Sequence, residues 1–258
     1  MPLRPCVIMK LGSFVSRIFL QALRMPTTPL KGQIIVMGGG GFTMEPDNPL
    51  LDRYVLEATG KARPRVCFVP TAAGDAAGYV DRFGEAFPES VCERTWLSLF
   101  SRKVDDLAGF LSEQDLVYVG GGNTVNLLAV WRAQGLDRVL PEVMEAGTIL
   151  CGVSAGALCW FERGITDSYG PDLNPLMNGL GLLPGAFSPH YDSDWRRPIE
   201  FPAFVRQHGG PALAAEDGVA LHFRDGELIR AVTSRPHAVA YRFGPDGREE
   251  VIEPEYLG

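Results

Sequence analysis

The chain has 258 residues, enough for one large core or two modest ones, and its 46% hydrophobic and 21% charged residues are an ordinary globular balance. A formal net charge of −7 argues against nucleic acid and anionic membrane surfaces as partners. Five cysteines, an odd number without metal-ligand spacing, fit a reducing compartment, so a cytoplasmic location is expected rather than a disulfide scaffold.

The first thirty residues differ from the rest. Arg4, Lys10, Arg17 and Arg24 all precede the first acidic residue, Glu45. Apolar runs such as Val7-Ile8-Met9 and Phe14-Val15 are too broken by charge to span a bilayer, and no continuous signal-peptide core is present. Residues 1–30 read as a poorly ordered extension, or a start placed too early with Met25 nearer the true one. A targeting arm or amphipathic surface helix is the alternative. Residues 31–258 read as a single α/β domain.

From Gly32 onward apolar runs alternate with helix-like segments. Strands are expected at Gln33–Met37, Arg65–Val69, Cys92–Leu97, Leu116–Val119 and Thr148–Val153. Helices are expected at Asn48–Thr59, Tyr79–Phe87 and Thr124–Gln134, with Ala155–Phe161 as the start of another. Such alternation implies right-handed crossovers and a mainly parallel sheet covered on both faces, with ligands collecting at the carboxyl ends of the strands. Towards the C-terminus, Val219–Phe223, Leu228–Val232 and Ala238–Phe243 look like short antiparallel additions, with Asp225-Gly226 a hairpin turn.

The chemistry centres on Cys151-Gly152-Val153-Ser154-Ala155-Gly156-Ala157. A Gly-x-Ser-x-Gly between an apolar strand and a helix puts the serine on a sharp, strained turn that exposes its hydroxyl, and side chains at the flanking positions would collide. The following helix directs its amides at the serine, where they can stabilise negative charge. Cys151 and Cys159 flank this turn as small packing residues. Two glycine-rich loops also end strands. Gly38 to Gly41 fails the dinucleotide pattern because Thr43 stands where its last glycine belongs, and Gly120-Gly121-Gly122-Asn123-Thr124 lacks the Gly-Lys-Ser/Thr of a phosphate loop. The second loop can instead line an oxyanion pocket, with Asn123 as a helix cap and a candidate substrate contact.

A serine nucleophile needs a base. Of four histidines, His208 lies in a polar loop, His222 within an alternating strand and His237 after Pro236, all read as structural. His190 stands where an apolar stretch ends in a polar loop, a suitable place for a base at a strand terminus.

The glycine loop at 120–124, the Ser154 turn and His190 in its polar loop together resemble the dipeptidase E (aspartyl dipeptidase) family of serine peptidases, relatives of the cyanophycinases. The resemblance spans about Gly32 to Phe243. It implies a three-layer α/β/α sandwich like that of class I glutamine amidotransferases (flavodoxin-like), with serine in place of cysteine. Transferred by position, Ser154 would be the nucleophile, His190 the general base, and Gly122 and Ala155 the oxyanion-hole amides. Glu216 would be the triad acid, with Asp217 beside it as competitor. Asp167 would be a substrate-side aspartate, at a spacing that departs from the family pattern. Arg196 and Arg197 could grip the carboxylate of an aspartyl substrate. The implied partner is a small peptide and the implied assembly a monomer or small homo-oligomer. Neither metal nor cofactor is called for, as the chain has no His-Glu-x-x-His and no cysteine pair at zinc spacing. An α/β-hydrolase esterase, a cyanophycinase-like peptidase and a non-enzymatic binder on the same fold stay open as alternatives.

Overall fold

Four apolar runs, each bounded by turn residues, build the centre of the molecule. In the computed structural model of the chain, which describes residues 31–258, they are β1 (Gln33–Met37), β2 (Arg65–Val69), β4 (Leu116–Val119) and β5 (Ile149–Val153). Together with β3 (Glu93–Trp96) they pair in parallel, in the spatial order β1-β5-β4-β2-β3. Each central strand is apolar on both sides because both faces are covered. Ile35, Met37, Val66, Phe68, Tyr118 and Cys151 point into one core layer, while Ile34, Val36, Cys67, Val69, Val117 and Leu150 point into the other.

Helices α1 (Leu50–Glu57) and α2 (Ala77–Ala86) cover the first face, where Phe42, Phe68, Tyr79, Phe83, Phe87 and Tyr118 form an aromatic cluster. The other face is covered by α3 (Leu107–Ser112), α4 (Thr124–Gln134) and α5 (Leu136–Glu145), which contribute Leu111, Trp131 and Leu140 to its core. The fold is therefore mixed α/β with a three-layer centre, as the sequence implies. Helices α3 and α5 were not among the expected elements.

The expected helix from Ala155 is short. It runs as α6 (Ala155–Leu158), and Phe161–Thr166 is a strand, β6. Trp160 and Phe161 are both fully buried where the chain enters a second sheet. That sheet has the order β13-β12-β9-β8-β6-β7, adding β7 (Asn174–Leu176), β8 (Leu183–Ser188), β9 (Ala212–Ala215), β12 (Ala240–Phe243) and β13 (Glu249–Ile252). One of its faces shares a core with the α4–α6 layer through Phe161, Leu183 and Phe187; helix α7 (Arg197–His208) packs on the other through Phe201, Phe204 and Val205. The C-terminal strands thus divide between two sheets. β10 (Val219–Arg224) extends the main sheet antiparallel to β1, and β11 (Glu227–Thr233) follows antiparallel to β10, with β14 (Glu255–Tyr256) at the edge, whereas β12 and β13 join the second sheet. The hairpin turn at Asp225-Gly226 is present, with φ of 52° and 82° as a type I′ turn requires. The expected extension over residues 1–30 lies outside the described residues.

Candidate active site

Ser154 sits where β5 ends and α6 begins, with φ 56° and ψ −115°. A positive φ at a non-glycine residue costs on the order of 1–3 kcal/mol and persists only where the surroundings impose it. Here they do. The Ser154 amide donates to Met37 O at 3.1 Å, and its carbonyl accepts from Ala157 and Leu158 at 3.0 and 2.9 Å. The two flanking glycines are sterically required: a methyl group at Gly152 would lie 2.0 Å from Gly156 O, and one at Gly156 would lie 2.4 Å from Val119 O. The Ser154 side chain makes no capping bond to α6, and its hydroxyl is directed to His190.

His190 follows β8 by two residues, and its Nε2 is 2.7 Å from Ser154 Oγ. Its Nδ1 is 2.6 Å from Oδ1 of Asp217. An ionised carboxylate only accepts hydrogen bonds, so Nδ1 carries the proton and Nε2 is left as the acceptor for the serine hydroxyl. The carboxylate bonded to His190 is that of Asp217 and not that of Glu216, the acid to which the family pattern pointed. Strand β9 ends at Ala215 and the next two side chains diverge. The Glu216 carboxylate accepts from the Val239 amide at 2.9 Å and the Tyr241 hydroxyl at 2.8 Å, while Asp217 turns to the histidine. Asp217 is 2% exposed, and its own amide donates to Asp192 Oδ1 at 2.8 Å. Burial alone would raise its pKa, but the bond from His190, with the Ser193 hydroxyl and the Arg235 guanidinium, holds the carboxyl below its ordinary value.

The Gly38–Gly41 run has its explanation here. The His190 amide donates to Gly38 O at 3.2 Å and the Gly218 amide to Gly39 O at 3.0 Å, so the run threads between the histidine and aspartate loops. A methyl group at Gly39 would lie 2.0 Å from Asp217 Oδ1 and 2.9 Å from His190 Nδ1. The first glycine loop is an absence of side chains against the His–Asp pair.

The second loop lies beside the serine. The Gly121 amide donates to the Tyr79 hydroxyl at 3.0 Å, and Gly122 has φ 140°, a conformation that glycine takes readily. The amides of Gly122 and Ala155 bond to no acceptor among the described residues, leaving them available to an oxyanion. A cavity of about 600 Å³ opens over Ser154 and His190, walled by Gly121, Val153, Tyr79, Arg82, Ala73 and Met44.

The weaker substrate contacts expected from the sequence are not brought there. Asn123 caps α4, its Oδ1 accepting from the Asn126 amide at 2.8 Å and its Nδ2 donating to Ser168 O at 2.9 Å, so both ends of its amide are used internally. Asp167 is exposed on the turn after β6 and does not line the cavity. Arg196 forms a two-pronged pair with Asp194 at 2.8 and 2.9 Å. Arg197 is 5% exposed, paired with Asp194 at 3.3 Å and bonded to Ile165 O and Ser188 Oγ. Both arginines therefore brace their own loop, where Asp194 is held below the ordinary carboxylate range chiefly by the Arg196 bond. Sequence reading missed Tyr79, Arg82 and Asp192, which carry no motif.

The other histidines do not line the cavity. His222 accepts from or donates to the Tyr54 hydroxyl at 2.8 Å and Gln33 at 3.1 Å, and burial, with Arg224 and Arg230, pushes its pKa down to about 4. His208 is the last residue of α7, half-buried against Phe204 rather than solvated in a loop, and His237 is exposed. Among the described residues no group of three or more His, Cys, Asp or Glu side chains could hold a metal, and no helix is long and apolar enough to cross a membrane.

A strained serine, a histidine and a buried aspartate stand in hydrogen-bonded sequence over a cavity at the carboxyl ends of parallel strands, an arrangement like that of a nucleophile elbow. The chain belongs to peptidase family S51, whose family model matches residues 34–231. It is 48% identical over 211 residues to an uncharacterized peptidase, YgaJ, of Bacillus subtilis, covering 81% of this chain and 91% of the relative. It is 30% identical over 192 residues to peptidase E of Streptomyces coelicolor, covering 67% of this chain and 77% of that one. The crystal structure of a peptidase from an acI-B1 Actinobacterium superposes with a TM-score of 0.60 at 18% identity, covering 88% and 96% of the two chains, a likeness of fold.

Proposed function

We propose that this peptidase is of the serine type and hydrolyses short peptides, with dipeptides bearing an N-terminal aspartate preferred, through an acyl-enzyme on Ser154. The observation that carries the reading is the unbroken chain from Ser154 Oγ to His190 at 2.7 Å and on to Asp217 at 2.6 Å. A serine hydroxyl is a weak nucleophile, so His190 Nε2 takes its proton as Oγ attacks the scissile carbonyl. Asp217 keeps the imidazole in the tautomer that can accept that proton and stabilises the imidazolium that results. The amides of Gly122 and Ala155 would hold the tetrahedral oxyanion, worth roughly 3–4 kcal/mol per donor in comparable sites. His190 returns the proton to the leaving amine, and a water activated the same way releases the acid.

The short-peptide reading is supported by the size of the cavity and by the family resemblance. The aspartyl preference is supported by the same resemblance and by a cavity lining that carries no carboxylate. The buried thiols of Cys67, Cys92, Cys151 and Cys159 fit action in a reducing compartment such as the cytoplasm. The test is kcat/KM on Asp-Leu, Asn-Leu and Leu-Leu for Ser154→Ala and His190→Ala, with folding checked by circular dichroism. Each variant should lose at least about a thousandfold, as members of one catalytic unit do. A folded Ser154→Ala protein that keeps more than about a tenth of wild-type turnover contradicts the serine mechanism.

A further inference from the structure

The wall of the Ser154 cavity carries one side chain whose charge nothing nearby answers. Arg82 projects from α2 into the cavity lining, and no carboxylate lies within salt-bridge distance of it among the described residues. That sets it apart from Arg196, Arg197, Arg230 and Arg235, each of which is paired with an acid. Its guanidinium stands over the ring of Tyr79, 5.0 Å from the centroid. Tyr79 in turn accepts the Gly121 amide at 3.0 Å, one residue from the proposed oxyanion donor Gly122. The arginine thus lies against an aromatic face fixed to the loop beside Ser154, and its guanidinium has no hydrogen-bonded or ion-pair partner among the described residues. No acidic side chain lines that cavity, so its field favours an anionic group.

We propose that Arg82 is a specificity-determining residue that binds a carboxylate of the substrate. This inference rests on the peptidase reading above for its substrate but not for its geometry. A guanidinium matches a carboxylate with two parallel N–H donors, and the stacked phenol limits the rotamers that must be frozen on binding. The group bound is either the side chain of an acidic residue or the free C-terminal carboxylate of a dipeptide, and the two differ in which substrates feel its loss. Because the site is open, an unoccupied Arg82 is simply solvated; occupied, it would favour peptides that end within the cavity.

The experiment compares kcat/KM of wild type, Arg82→Gln and Arg82→Lys on Asp-Leu, Asn-Leu, Asp-Leu-amide and Asn-Leu-amide, the last of which carries no carboxylate. Alongside, succinate and succinamide are titrated by calorimetry. Arg82→Gln should lower kcat/KM for Asp-Leu about tenfold or more relative to Asn-Leu-amide, the scale of a lost charged hydrogen bond, and weaken succinate binding by a similar factor. Arg82→Lys should recover part of both. If the loss falls on Asp-Leu and Asp-Leu-amide alike, the side-chain carboxylate is the one bound; if it falls on Asp-Leu and Asn-Leu but spares both amides, it is the terminal one. Equal substrate ratios and equal succinate affinity in wild type and Arg82→Gln would overturn the proposal, as would wild type that binds succinate no better than succinamide. Wild type that cleaves none of these peptides would sink the short-peptide reading, and the succinate titration would still decide the role of Arg82.

Discussion

Ser154 and His190 both hold positive φ, 56° and 52°, and both are pinned by backbone bonds to β1 and the glycine run that follows it. Strain at the proposed nucleophile and the proposed base, imposed by one neighbouring segment, would preset both for reaction. Asp217 completes the set, and its adjacency to Glu216 makes the two acids separable by substitution. Asp217→Asn keeps the shape but lets the histidine settle in the wrong tautomer, so kcat/KM should fall by about 10²–10⁴. Glu216→Gln should keep kcat/KM within about threefold of wild type and cost about 1 kcal/mol of stability through weakened bonds to Tyr241 and Val239. Steady-state kinetics with a urea melt of each variant checks both expectations. The reverse ranking would restore Glu216 as the acid. At this scale Ser154 and His190 were legible because each carries a pattern, the glycine-flanked turn and the strand terminus. The acid was ambiguous because two carboxylates in one turn differ only in which way the chain rotates after β9.

At the scale of elements, β1, β2, β4 and α4 follow the expected residue ranges because the apolar runs are stopped by Gly38, Pro70 and Gly120 and the helix starts at a capping Asn123. Helix α5 carries Pro141 inside it, which hides an apolar stripe of Leu136, Leu140, Val143 and Met144. The second sheet was not legible, and its strands explain why. β7 contains Pro175 and survives as an edge strand, β8 contains Pro184 and Gly185, and β9 is Ala-Leu-Ala-Ala, with little strand propensity. These segments are strands because tertiary pairing makes them so. That sheet matters to the site: β8 delivers His190, and β9 leads into Asp217. His190 and Asp217 were thus singled out as candidates without the element that positions them.

For the whole molecule, one buried acid links stability to pH. Asp52, on α1 and 4% exposed, has its pKa pushed up to about 7 by burial, despite the Phe42 amide and Tyr118 hydroxyl nearby, with Glu45 adding to the rise. The folded chain therefore keeps this proton to higher pH than the unfolded chain, whose carboxyl titrates near 3.8. Stability from this group is full below about pH 4 and falls as pH rises toward about 7, because the unfolded state releases the proton first. Asp52→Asn removes that loss, so its gain over wild type should be larger at pH 8 than at pH 4.5 by about 2–3 kcal/mol. Denaturant midpoints at the two pH values measure it, and a gain independent of pH would show that Asp52 titrates normally.

The central claim, that Ser154 is a nucleophile activated by His190 and Asp217, is tested most directly by intact-mass spectrometry after reaction with a neutral fluorophosphonate. The account predicts one adduct per chain, mapped to Ser154, formed in step with loss of peptidase activity and slowed by at least about a hundredfold in His190→Ala. A fully labelled protein that retains peptidase activity, or an adduct mapped to any residue other than Ser154, would contradict it.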